Sequence, residues 1–280
     1  MKRKYLLLTA IGMMMGLLSC KKEKKQEEQM PEQVTEECKT SFVAYGDSAV
    51  LVLGQDSLLF RLVEKGSFLM GTTKELDPLS YVQEWPQHTV TLEEDFYLCD
   101  TSLPQWAWVA VMHENPSHFL GDDNRPVENV NYFECSYFLQ VLNRISGQEF
   151  RLPTEEEWEY AARGGRKSKG YKYSGSNNID EVAWHVKNAG SKTVPVKTKK
   201  PNELGLYDMA GNVWNWTSTP YTRYEGNPSA NPSDNMVVKG SGWCSPPYSC
   251  RITHRNGYDC NIRSVALGLR LAISAESIKQ

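Results

Sequence analysis

The chain has 280 residues, 40% hydrophobic and 23% charged, with a formal net charge of −3. That is ordinary globular composition, with enough chain for one large domain or two small ones. No basic stripe stands out, which argues against nucleic acid as a partner, and no repeat of about 20–50 residues points to a solenoid or propeller.

Lys2, Arg3 and Lys4 precede an apolar run over residues 5–18 that is too short to span a bilayer and has the form of an export signal. It ends Leu17-Leu18-Ser19-Cys20, which resembles a bacterial lipobox. The resemblance implies a signal over residues 1–19, acylation of Cys20 and a membrane anchor. Residues 20–40 then carry the acylated cysteine and a Lys/Glu/Gln-rich tether with almost nothing to bury. The expected location is the bacterial cell envelope, facing the periplasm or the exterior. The folded domain is expected over residues 41–276.

Short apolar runs at 42–44, 50–53 and 58–63 are separated by Gly46-Asp47 and Gly54-Gln55-Asp56, predicting a strand meander. It leads into Phe68-Leu69-Met70-Gly71, an alternating strand at 88–92 and Phe96-Tyr97-Leu98. Three helices follow. Ser102 with Gln105 has the capping-box spacing, with Pro104 in the first turn and the helix running to Met112. Asn131 with Glu134 opens the second, whose apolar positions keep a helical period and which Gly147 can close. Thr154 with Glu157 opens the third, which stops at Gly164-Gly165; its three first-turn glutamates suit the helix dipole. Beyond it the chain is loop-rich, with strand-like bits at 194–196, 236–238 and 267–271, the last two bracketing a long loop. Few strands, two or three helices and many loops make an α+β domain.

The densest chemistry is Gly205-Leu-Tyr-Asp-Met-Ala-Gly-Asn-Val-Trp-Asn-Trp216. Residues 211, 213 and 215 recur at period two, so an extended segment places them on one side. Asp208, the carbonyls of Gly211 and Val213, and Asn215 could converge on a hard cation such as calcium. The plainer alternative is a glycine turn entering a strand that buries Trp214 and Trp216.

This stretch resembles the signature of the formylglycine-generating enzymes, also called sulfatase-modifying factors. Residues 67–71, 115–119, 150–165, 239–243 and 268–272 match further family segments in family order. The resemblance implies a C-type-lectin-like architecture with short twisted sheets and extended loops. It also implies calcium at Asp208, Gly211, Val213 and Asn215. The family's last ligand is usually Glu, so Asn215 keeps an oxygen but loses the charge, which weakens the site.

The five histidines show no paired metal spacing and read as hydrogen-bonded core or surface side chains. Six cysteines follow Cys20: Cys38, Cys99, Cys135, Cys244, Cys250 and Cys260. In an exported chain they permit three disulfides, although the apolar settings of Cys99 and Cys135 equally suit buried thiols. Active family members hold Cu(I) between two thiolates and oxidise a sulfatase cysteine to formylglycine. Cys244 and Cys250 are the candidates here, but five residues separate them where the family has four, Pro246-Pro247 stiffen the connection, and Gly242 stands in the family's serine slot. A Cys244–Cys250 disulfide is the simpler reading.

The resulting expectation is a lipoprotein whose domain is a binding or envelope-assembly module for a protein or glycan, without formylglycine-generating activity. Its rivals are the copper- and oxygen-dependent oxidase and another oxygen-dependent enzyme of the family.

Overall fold

The meander forms as the sequence predicts. In the computed structural model, which describes residues 39–226 and 235–279, β1 (Thr40–Tyr45), β2 (Ser48–Leu53) and β3 (Asp56–Val63) pair antiparallel. Gly46 (φ 62°) and Gly54 (φ 67°) make the two tight turns in the left-handed region that glycine tolerates. Phe42 and Phe60 from these strands meet edge-to-face at 5.5 Å, and Phe42 meets Phe150 at 5.1 Å. Cys20 and the tether as far as Cys38 lie outside the described residues, and Thr40, placed in the tether by sequence, is the first residue of β1.

Two further strands, β4 (Gly66–Met70) and β5 (His88–Leu92), form a separate antiparallel pair. β6 (Phe96–Cys99) pairs with β3, and β11 (Ala272–Ser274) pairs with β6, giving the sheet order β1-β2-β3-β6-β11. The chain's last strand therefore closes on the sheet that its first strands begin. A second sheet has the order β10-β7-β8-β9, from β7 (Trp214–Pro220), β8 (Asn235–Lys239), β9 (Arg255–Asp259) and β10 (Leu267–Gly268). The expected strand over 267–271 is thus where the chain leaves one sheet for the other. The expected loop between 238 and 267 contains β9.

Helices α1 (Gln105–Met112), α2 (Tyr132–Ser146) and α3 (Glu155–Ala162) match the three predicted, and a short α4 (Ile179–Val182) is added. Both capping boxes at α2 and α3 form, and Gly147 closes α2 in the left-handed conformation. The box at α1 does not. Pro104 is the N-cap; Ser102 Oγ instead accepts from the Asn215 amide, and Gln105 Nε2 donates to the Phe119 carbonyl. Residues 194–196 form no strand, because the Asn212 side chain takes both backbone groups of Val194: Oδ1 accepts its N–H at 3.0 Å and Nδ2 donates to its C=O at 2.8 Å.

Candidate functional site

The 205–216 segment is largely buried. Asp208 (φ 54°), Gly211 (φ 77°) and Asn212 (φ 65°) are left-handed, so the segment coils and extended alternation begins only at Trp214. A Cβ on Gly211 would sit 2.1 Å from the Trp184 carbonyl oxygen, and only glycine permits that approach. Trp214 and Trp216 are buried, and the Trp216 indole N–H donates to the Val130 carbonyl at 3.2 Å.

The two side chains expected as calcium ligands, Asp208 and Asn215, are both hydrogen-bonded within the protein. Asn215 is fully buried, and its Oδ1 accepts from the Trp158 indole N–H at 3.2 Å and from Arg270 Nε at 3.3 Å. An amide oxygen has two lone pairs, and both are engaged. Asn215 Nδ2 donates to Ser102 Oγ at 3.0 Å. Asp208 Oδ2 accepts the Lys197 N–H at 2.9 Å and the Thr101 hydroxyl at 3.3 Å. Burial pushes the Asp208 carboxyl above its ordinary range, against the Lys197 N–H and the Arg270 charge. Asn215 is thus a hydrogen-bond hub, while Gly211 and Val213 would supply only main-chain oxygens to a cation.

The cysteine segment follows β8. Ser241 Oγ donates to the Ser249 carbonyl at 2.7 Å and lies 3.3 Å from His254 Nδ1. Burial holds the His254 imidazole down to about 4, so it is neutral at physiological pH. The two candidate thiols occupy different settings. Cys244 is exposed, whereas Cys250 is 1% exposed and packs with Ala183 and Ala210 against Tyr173 and Ile179. Burial pushes the Cys250 thiol up to about 12. No disulfide joins them, and Cys99 and Cys135 are also buried thiols, so the expected Cys244–Cys250 bridge is not formed.

Around this segment run buried ion pairs. Arg251 meets Glu84 with two contacts, at 2.6 and 2.8 Å, and also reaches Asp77 at 3.0 Å. Arg255 grips Glu155 at 2.7 and 2.6 Å, and Lys239 Nζ lies 2.8 Å from Glu159. Glu155 and Glu159 therefore anchor the second sheet to α3, a role beyond the helix dipole that Glu155 suggests in sequence. A run of rings reaches the surface here: Tyr248 and Tyr81 (41% and 39% exposed) are 6.4 Å apart, and Tyr81 leads through His254 to Trp214.

Residues 59–275 match the model of the sulfatase-modifying factor enzyme 1-like domain. "Chaperone protein LppX" of Paenibacillus barcinonensis is 33% identical, over 76% of this chain and 88% of its own. The Bos taurus "Inactive C-alpha-formylglycine-generating enzyme 2" is 36% identical, over 45% of this chain and 44% of its own. The Bos taurus "Formylglycine-generating enzyme" is also 36% identical, over 56% and 46%. The chain thus spans about half of either bovine relative, and identity does not distinguish the active one from the inactive. Among solved structures, "Treponema denticola variable protein 1" superposes with a TM-score of 0.70 at 29% identity, covering 85% of this chain and 99% of that one. The architecture is therefore of the formylglycine-generating-enzyme type.

Proposed function

The chain belongs to the sulfatase-modifying factor enzyme 1-like family, and from that premise we propose that it is an envelope lipoprotein whose domain binds another exported protein without oxidising it. The observation that carries this reading is the different burial of the two thiols. A Cu(I) centre needs two thiolates opposed across one metal. Cys244 is exposed, while Cys250 sits in an apolar cluster with its proton held to about 12. These residues do not fit a copper centre, and no oxidation step is assigned to them.

A protein partner is favoured over a glycan because a relative matched over 88% of its length is named a chaperone. The exposed faces of Tyr81 and Tyr248 offer large apolar contact area with hydroxyl tips, the type of side chain enriched at protein interfaces. Anchoring through Cys20 would tether the domain to a membrane. Competition with a chromogenic Cu(I) chelator tests the binding-only reading. The reduced protein should take up no tightly held equivalent of Cu(I). A tight one-to-one site abolished by Cys244→Ser and by Cys250→Ser would overturn it.

A further inference from the structure

We propose that the Lys197 ammonium and the Arg270 guanidinium take the place of a divalent cation beside the 205–216 segment, and that removing the Lys197 ammonium would make Asp100 and Asp208 a calcium-responsive site.

Asp100 and Asp208 are 1% and 3% exposed. They share a neighbourhood: Thr101, next to Asp100, donates to Asp208 Oδ2, and the Asp208 neighbour Tyr207 donates its N–H to the Asp100 carbonyl at 2.7 Å. Two buried carboxylates so placed repel unless positive charge lies between them. Lys197 serves both. Its Nζ lies 2.9 Å from Asp100 Oδ2, and its backbone N–H donates to Asp208 Oδ2 at 2.9 Å. Arg270 is fully buried, with Nη1 donating to the Cys99 carbonyl at 2.7 Å, Nη2 to the Tyr207 carbonyl at 2.6 Å and Nε to Asn215 Oδ1.

The two carboxylates therefore lie in the positive field of Arg270, with Lys197 paired to Asp100 and Arg61 adding to the field there. A divalent ion entering here would leave excess positive charge in a desolvated pocket. Asp100 retains one buried oxygen, Oδ1, with no hydrogen-bond partner. The Lys197 side chain is 40% exposed, so its loss would open a path from solvent to that oxygen. Hard carboxylate oxygens with water completing the shell are what calcium accepts.

Thermal melts of the full chain in EGTA and in millimolar calcium test this. The wild type should melt at the same temperature in both. Lys197→Met should melt several degrees lower in EGTA and recover at least half of that loss in calcium, while Lys197→Arg should stay calcium-insensitive. A wild-type melting temperature that rises in calcium overturns the proposal, as does a destabilised Lys197→Met that ignores calcium, or a Lys197→Met that melts like wild type. Should Lys197→Met not fold, tryptophan-sensitised terbium luminescence of the wild type decides. No saturable signal is expected; saturation that calcium reverses overturns the proposal.

Discussion

Replacing Glu159 by Gln should cost the domain about 3–5 kcal/mol, the range for stripping one partner from a buried ion pair. The side chains of Glu159 and Lys239 are both 0% exposed and meet at 2.8 Å. Glu159 Oε1 also takes Arg163 Nη2 at 2.7 Å and the Gly71 N–H at 2.9 Å. Burial by itself raises the carboxyl; Lys239 and Arg163 outweigh it and hold the group at about 2, against an ordinary 4.5. At about 1.4 kcal/mol per pH unit, that gap corresponds to roughly 3 kcal/mol, inside the range from the ion-pair argument. Because the folded value lies below the unfolded one, the contribution is complete above pH 4.5 and is lost as pH falls toward 2. In a domain of this size each kcal/mol shifts the melting temperature by about 2–4 °C, so a deficit of roughly 10 °C is expected near neutrality. Calorimetry of wild type and Glu159→Gln across a pH series measures it. The deficit should narrow steadily below pH 4.5. A deficit independent of pH, or one under about 1 kcal/mol near neutrality, would refute the reasoning.

The Gly211 contact gives a paired prediction. Gly211→Ala forces a left-handed alanine and a Cβ 2.1 Å from the Trp184 carbonyl, whereas Gly170→Ala, also left-handed at φ 70°, meets nothing within 4 Å. In chemical denaturation Gly170→Ala should lose about 1–2 kcal/mol and Gly211→Ala clearly more, by about 1–3 kcal/mol of overpacking; equal losses would contradict the close approach. For the anchor, Cys20→Ser should release the protein from membranes, and mass spectrometry of the native N-terminal peptide should show lipid on Cys20. Retained membrane partitioning with no lipid mass would contradict it.

Much of the fold is local and therefore legible. Glycines at 46 and 54 fix the meander turns, and Asn131-Glu134 and Thr154-Glu157 fix two helix starts within four residues of chain. The failures come where a distant partner claims a group that local spacing assigns elsewhere. Ser102 has the spacing of a cap, but its hydroxyl is taken by Asn215, 113 residues away. Arg251 and Glu84 are 167 residues apart, and no periodicity links them. At the candidate site, local spacing gives no sign of the partners of Asn215, Trp158 and Arg270, 57 and 55 residues away. Cys244 and Cys250 look paired in sequence, yet the 3₁₀ turn Pro247–Cys250 carries the second sulfur into the core and leaves the first at the surface.

The claim that this domain binds without oxidising is tested most directly by turnover. Reduced, copper-loaded protein is incubated with oxygen and a peptide carrying the sulfatase Cys-x-Pro-x-Arg pattern, and the products are read by mass spectrometry. With Cys250 buried among Ala183, Ala210 and Tyr173, the peptide cysteine should be recovered without aldehyde. Formylglycine that appears with the wild type and vanishes with Cys244→Ser or Cys250→Ser would contradict the account and make those sulfurs the copper ligands.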